Sequence, residues 1–246
     1  MSTTATIDNA QTRCNMNEPI ERLKSIRQRI EKACKAAYRQ PDDVSLLAVS
    51  KRHPASEIRV FNKLGLRSFG ENQLQEALVK QRELDDLNLQ WHFIGTIQSN
   101  KTRSIAEHFQ WVQSVDRQKI LRRLSAQRPE SLPPLNVCLQ VNIDREPQKA
   151  GASPEEILKL ASIAQGLGNI RLRGLMAIPR LTMVAAEQHQ SFKNVRTLFE
   201  TLKTAGHDLD TLSMGMSMDL EIAISEGSTM VRIGTDLLGP RMTTKE

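Results

Sequence analysis

The sequence predicts a single (β/α)8 barrel, and three observations carry that prediction. Short apolar runs alternate with longer amphipathic segments from residue 44 onward, eight such runs can be counted, and no stretch rich in proline, glycine or serine divides them. Alternating βα units build a parallel sheet, and eight of them imply closure. An open doubly wound sheet shares this rhythm, because the pattern does not display closure. The missing GxGxxG after the first strand argues against its dinucleotide-binding form. Composition agrees. A chain of 246 residues suits one barrel, 39% hydrophobic content supplies one buried core, and 4% aromatics make that core aliphatic, as in layered α/β proteins.

The elements follow in order. Residues 1–16 are small and polar and read as a disordered N-terminal tail, which leaves 17–246 as the barrel domain. An additional N-terminal helix opens that domain at Asn17-Glu18-Pro19. In it Ile20, Leu23, Ile26, Ile30, Ala33 and Ala37 recur at intervals of three and four, and Gln40-Pro41-Asp42-Asp43 stops it. A strand over 44–50 precedes a helix over 54–64. The same pairing repeats as 66–69 with 73–84, 89–94 with 99–108, 110–115 with 117–127, and 135–141 with 154–165. It continues as 170–178 with 185–205, 209–214 with 218–225, and 229–233 with a short final segment.

Several function classes recede at this level. No run approaches the roughly 20 apolar residues of a membrane span, and the N-terminus lacks the apolar centre of a secretory signal. A cytoplasmic protein is expected. Cys14, Cys34 and Cys138 show neither CxxC nor zinc-type spacing, so no metal site is expected and the thiols read as structural or incidental. The net charge of +6 could attract nucleic acid or an anionic ligand. Its arginines are dispersed, however, as Arg22, Arg27 and Arg29 on one helix and Arg122, Arg123 and Arg128 on another, with no basic run interleaved with aromatics. Solvated helix faces explain them better than a nucleic-acid partner. No long apolar stripe demands a second copy, so a monomer is expected.

Barrel enzymes place their chemistry at the carboxyl ends of the strands. Small and polar residues gather there: Lys51, Glu71-Asn72, Gly95 with Ser99-Asn100-Lys101, Ser114 and Asp116, Asn142, Met176, Met214 to Ser217, and Gly234-Thr235. Lys51 is the sharpest. At the end of an apolar strand an amine can be partly desolvated, its pKa lowered enough to attack an aldehyde. Taken alone it reads more readily as a solvated loop lysine, as most lysines are. A second feature shifts the balance. Barrels often hold phosphate at the loops after strands seven and eight. Here those loops carry Gly215 with Met216 and Ser217, and Gly234 with Thr235, giving close backbone approach and hydroxyls. Arg232 lies within the eighth strand, where an inward guanidinium needs an anionic or hydrogen-bonding partner. A salt bridge to a neighbouring carboxylate would satisfy it as well as a cofactor would.

Taken together, these segments resemble the pyridoxal phosphate homeostasis proteins, single-domain relatives of the alanine racemase N-terminal barrel. The resemblance is carried by Leu47-Ala48-Val49-Ser50-Lys51, Phe69-Gly70-Glu71-Asn72, Trp91-His92-Phe93-Ile94-Gly95 and Gln98-Ser99-Asn100-Lys101. It continues through Arg173-Gly174-Leu175-Met176, Gly215-Met216-Ser217 with Asp219, and Val231-Arg232-Ile233-Gly234-Thr235. It implies a TIM barrel holding pyridoxal 5'-phosphate (PLP) as a Schiff base on Lys51, with Asn72 beside the ring hydroxyl and Arg232 at the pyridine nitrogen. Ser217, Gly234 and Thr235 would meet the phosphate with Met216 alongside, and His92 and Met176 would lie nearby. His92 reads better as a packed, hydrogen-bonded core residue. Arg52-His53 and Thr96-Ile97 depart from the family's usual residues and bring the contacts beside the site into question.

The resemblance implies a non-catalytic role: buffering PLP and handing it to apo-enzymes. The alternative is a PLP-dependent amino-acid racemase, which needs an acid and a base on opposite faces of the substrate carbon. In two-domain racemases a tyrosine opposes the lysine. The only tyrosine here, Tyr38, falls in the first helix, away from the strand ends. A Schiff-base aldolase without cofactor would use the same lysine and phosphate loops; no proton-relay carboxylate is evident beside Lys51.

Overall fold

The computed structural model describes residues 5–180 and 182–240, with side chains from residue 17 onward. Eight parallel strands close into a barrel in chain order: β1 (Ser45–Val49), β2 (Ser68–Glu71), β3 (Gln90–Phe93), β4 (Trp111–Val115), β5 (Leu135–Val141), β6 (Ile170–Ala177), β7 (Thr211–Ser213) and β8 (Met230–Ile233). Closure rests on β1 pairing with both β2 and β8, where Leu47 faces Arg232 and Ala48 faces Ile233. That rules out the open sheet. The outer layer is α2 (Ala55–Lys63), α3 (Leu74–Glu83), α4 (Thr102–His108), α5 (Gln118–Gln127), α6 (Pro154–Gln165), α7 (Ala185–Thr204), α8 (Leu220–Ser225) and α9 (Thr235–Leu238). The start of α6 shows how local the signals are. The Ser153 hydroxyl accepts from the Glu156 amide at 3.3 Å, the Glu156 carboxylate accepts from the Ser153 amide at 2.8 Å, and Pro154 has no N–H to satisfy.

The additional helix, α1 (Ala5–Ala36), precedes β1. It begins twelve residues before Asn17, in a stretch expected to be a disordered tail, and Met1 to Thr4 lie outside the described residues. Residues 5–16 contain neither glycine nor proline, so nothing in them stops a helix. Pro19 forfeits one helical hydrogen bond without ending it.

Alternation along each strand separates two cores. Side chains facing the helices, such as Ala48, Phe69, Phe93, Val137, Leu212 and Ile233, join Phe61, Leu124, Phe192 and others in one large apolar cluster. Side chains facing inward include Leu47 and Val49 but are otherwise largely polar. Among them only Trp111, Cys138 and Met176 form a separate small apolar cluster. The inner space therefore depends on directional bonds.

Candidate functional site

Closure places β8 between β7 and β1, so the carboxyl ends of β7, β8, β1 and β2 are consecutive staves. Ser217, Arg232, Gly234-Thr235, Lys51 and Asn72 fall on this one arc. On β1 the inward parity runs Leu47, Val49, Lys51, and Lys51 is half-buried.

The turn bearing Lys51 is held from behind. Ser50 is fully buried: its carbonyl accepts from Lys80 Nζ at 2.8 Å and from the His53 amide at 3.0 Å, and its hydroxyl donates to Glu71 Oε1 at 2.6 Å. On the other side of Lys51, the Arg52 amide donates to Glu76 Oε1 at 2.5 Å, and Arg52 adopts φ of 63°. Lys80, on α3, joins the two carboxylates at 2.7 Å (Glu71) and 2.6 Å (Glu76). Burial pushes the Glu71 carboxyl upward, opposed by Lys80 and by the Ser50 hydroxyl. Glu71, expected at the rim, instead faces back between β2 and α3, because it has the outward parity of Phe69. His53 is buried against α2, its Nδ1 2.7 Å from Glu57, so the departure at 52–53 concerns the helix layer. Lys80 escaped the sequence reading because a lysine on a helix normally reads as solvated. Its only signal was Glu76 four residues earlier.

Arg232 points inward, as its strand parity requires. It donates to the Ser213 hydroxyl and to the Ala177 carbonyl, each at 2.9 Å. No direct salt bridge forms to it among the described residues, although the buried Asp219 carboxylate acts on it through space and favours its charged form. Desolvation lowers its pKa to about 10, leaving it a cation at neutral pH. The Ser213 hydroxyl donates to Gln113 Oε1 at 2.7 Å, and Gln113 Nε2 donates to His92 Nδ1 at 2.9 Å. An amide nitrogen only donates, so Nδ1 is bare and Nε2–H donates to Gln90 Oε1 at 3.2 Å. His92 stacks on Trp111 with ring centroids 5.1 Å apart, and burial lowers its pKa to about 3. It is the packed core residue expected. Gln113 and Ser213 were missed. Their only mark was a polar residue at an inward position of an otherwise apolar strand.

The two glycine loops have different constraints. Gly215 has φ of 94°, and a Cβ there would lie 2.5 Å from Ala223, so the turn needs glycine. The Met216 amide is taken by Asp219 Oδ1 at 2.6 Å, which folds the loop and leaves Ser217 half-buried. Met216 can therefore offer a ligand its partly exposed side chain, not its N–H. The Gly234 carbonyl accepts from the Leu237 and Leu238 amides, leaving Thr235 exposed at the start of α9. Asn72, half-buried, is seated by Gly95, where a Cβ would lie 2.1 Å from the Asn72 carbonyl oxygen. Other rim residues serve their own loops: Ser114 donates to the Gly95 carbonyl, and the Asn142 amide to the Glu146 carbonyl.

This barrel, with a lysine at the end of β1 and glycine loops after β7 and β8, is of the class described as the alanine racemase N-terminal domain, a family that matches residues 22–242. The chain belongs more narrowly to the pyridoxal phosphate homeostasis proteins. It is 58% identical to the protein of that name from Pseudomonas aeruginosa, over 92% of this chain and 97% of the relative. Identity to the Escherichia coli protein is 45%, over 94% and 100%. PipY of Synechococcus elongatus, solved with PLP bound, superposes with a TM-score of 0.79 at 40% identity, covering 90% of this chain and 100% of that one. Alanine racemase of Clostridium difficile shares the fold at a TM-score of 0.74 and 14% identity, and the match covers only 56% of it. Among the described residues no helix is long and apolar enough to cross a membrane.

Proposed function

We propose that this chain binds PLP in the barrel mouth, attached through Lys51, and keeps it as a reversible store for intracellular PLP homeostasis, including transfer to apo-enzymes. Residues 17–246 act as the binding unit, as a monomer in the cytoplasm. The observation that carries the reading is the arc of four neighbouring strand ends. It unites a half-buried lysine, an inward arginine hydrogen-bonded to neutral acceptors, and two hydroxyl-bearing glycine loops.

The residues suit the ligand. PLP supplies, when bound through its aldehyde, an electron sink whose strength depends on protonation of the pyridine nitrogen. Arg232 only donates hydrogen bonds, so it favours an unprotonated nitrogen and a weakened sink, which fits holding better than catalysis. Ser217 and Thr235 supply hydroxyls for the phosphate with Gly234 giving close approach, the Met216 side chain lies alongside, and Asn72 meets the ring hydroxyl. The Lys80–Glu71–Glu76 cluster fixes the peptide on both sides of Lys51. A racemase would need a second base opposite Lys51. Tyr38 precedes β1, where the strands begin, and is 99% exposed. Nothing specific favours the racemase or the aldolase.

The expected outcome is a yellow protein whose visible absorbance disappears in Lys51→Ala, with borohydride reduction adding the cofactor mass to the Lys51 peptide of the wild type alone. A wild type left colourless by PLP sinks the reading. Racemisation at the rate of a dedicated enzyme would replace storage by catalysis, and transfer to an apo-enzyme no faster than release into solution would remove the delivery role.

A further inference from the structure

α1 stands outside the eight βα units, yet its Arg29 reaches the segments that follow β7 and β8. Arg29 donates from Nε to Glu221 Oε1 at 2.7 Å and from Nη2 to Glu221 Oε2 at 3.0 Å, a bidentate grip on α8. Nη2 also donates to the Ser217 carbonyl at 2.7 Å, and Nη1 donates to Asp236 Oδ2 at 3.3 Å. One planar guanidinium thus joins Ser217, in the first glycine loop, to the residue after Thr235, in the second. Arg39, just beyond the end of α1, holds the far end of α8, donating from Nη1 to the Ile224 carbonyl at 2.9 Å and the Ser228 carbonyl at 2.7 Å. With α8 pinned at both ends, the two loops cannot separate without breaking the Arg29 fork.

A purely structural staple exists for comparison. Arg59, on α2, makes a similar fork to Asp86 and the Glu83 carbonyl, linking α2 only to the end of α3 and the turn after it. The Arg29 fork differs in what it joins.

We infer that Arg29 is a positioning residue for the cofactor phosphate, setting the spacing between the Ser217 and Thr235 hydroxyls from behind. This rests on the PLP reading above. It acts through the loops and touches no ligand, so its signature is selectivity for the phosphorylated form of the vitamer.

The experiment compares affinity for PLP with affinity for pyridoxal, which has the same ring and aldehyde but no phosphate, in the full chain. Arg29→Ala is expected to weaken PLP about tenfold, equivalent to about 1.4 kcal/mol, while pyridoxal changes by less than about twofold. Arg29→Lys keeps the charge without the fork and restores little of the loss. Arg59→Ala leaves the PLP-to-pyridoxal ratio unchanged. Should Arg29→Ala fail to fold, Glu221→Gln, which weakens the same grip, is read on the same ratio. Equal losses for both ligands, full rescue by lysine, or an equal change in Arg59→Ala would overturn the assignment. A wild type that binds PLP while every Arg29 and Glu221 variant keeps its ratio overturns this inference alone, whereas a wild type that binds neither ligand overturns the PLP reading with it.

Discussion

The layer between barrel wall and helices and the space inside the wall solve the same packing problem by different means. Outside, Ile58, Phe61, Leu124 and Phe192 are at most 1% exposed and belong to one large apolar cluster, interrupted by few buried polar groups such as Glu71 and Lys80. Inside, donors and acceptors run in one direction, from Arg232 through Ser213, Gln113 and His92 to Gln90. Apolar contact is non-directional and tolerates swaps of similar volume. A buried hydrogen-bond chain tolerates little, because each unpaired group carries its full desolvation cost. The outer layer therefore supplies stability, and the inner one fixes the direction in which Arg232 presents its donors.

That contrast can be broken in three places. The largest effect belongs to the outer layer: Phe192→Ala should cost about 3–5 kcal/mol in urea unfolding, with a PLP-to-pyridoxal ratio unchanged in the folded protein. A loss below about 1 kcal/mol would mean that the outer core does not dominate.

The next concerns His92. Its folded pKa of about 3 lies below the ordinary 6.5, so between those values the unfolded chain binds a proton that the folded chain refuses. Stability attributable to His92 is thus full above about pH 6.5 and declines as the pH falls toward 3, by up to about 1.4 kcal/mol per pH unit. His92→Asn should flatten that part of the stability profile while lowering stability at neutral pH. An unchanged acid slope would contradict the buried neutral imidazole.

The smallest effect is chemical. Cys34 and Cys138 are buried free thiols, and desolvation raises Cys138 to about 12. In Cys14→Ser, a thiol reagent at neutral pH should label the native protein only as fast as it unfolds. Rapid labelling of Cys138 would show that the inner space opens.

Much of the barrel was legible beforehand because its signals are local. Residues 135–141 and 154–165 were bounded as they stand, and the structure shows why the second boundary is sharp: Pro154 follows the N-cap of a Ser153–Glu156 capping box. Strand limits elsewhere contracted, as at 209–214 against Thr211–Ser213, because end residues continue the apolar pattern after pairing stops. The polarity of Glu71 was visible but its direction was not, since a run of four residues does not announce which face is inward. Gln113 and Arg29 were illegible because their partners are distant in sequence, and a single polar residue on a helix or strand looks the same with or without them. Lys80 had Glu76 four residues before it, but such a pair on a helix reads as a solvated surface contact.

The sequence by itself determined the alternation of strands and helices, the lysine at the end of the first strand, and the glycines and hydroxyls after the last two. Those follow from short-range sterics and hydrophobic period. Only the tertiary structure decided that β8 lies against β1. Closure is a cooperative property of all eight strands, and it alone sets β8 beside β1, so that Arg232 pairs with Leu47, four residues before Lys51, across most of the chain. The same packing laid α1 across α8 and α9, and so placed Arg29 behind loops almost two hundred residues away.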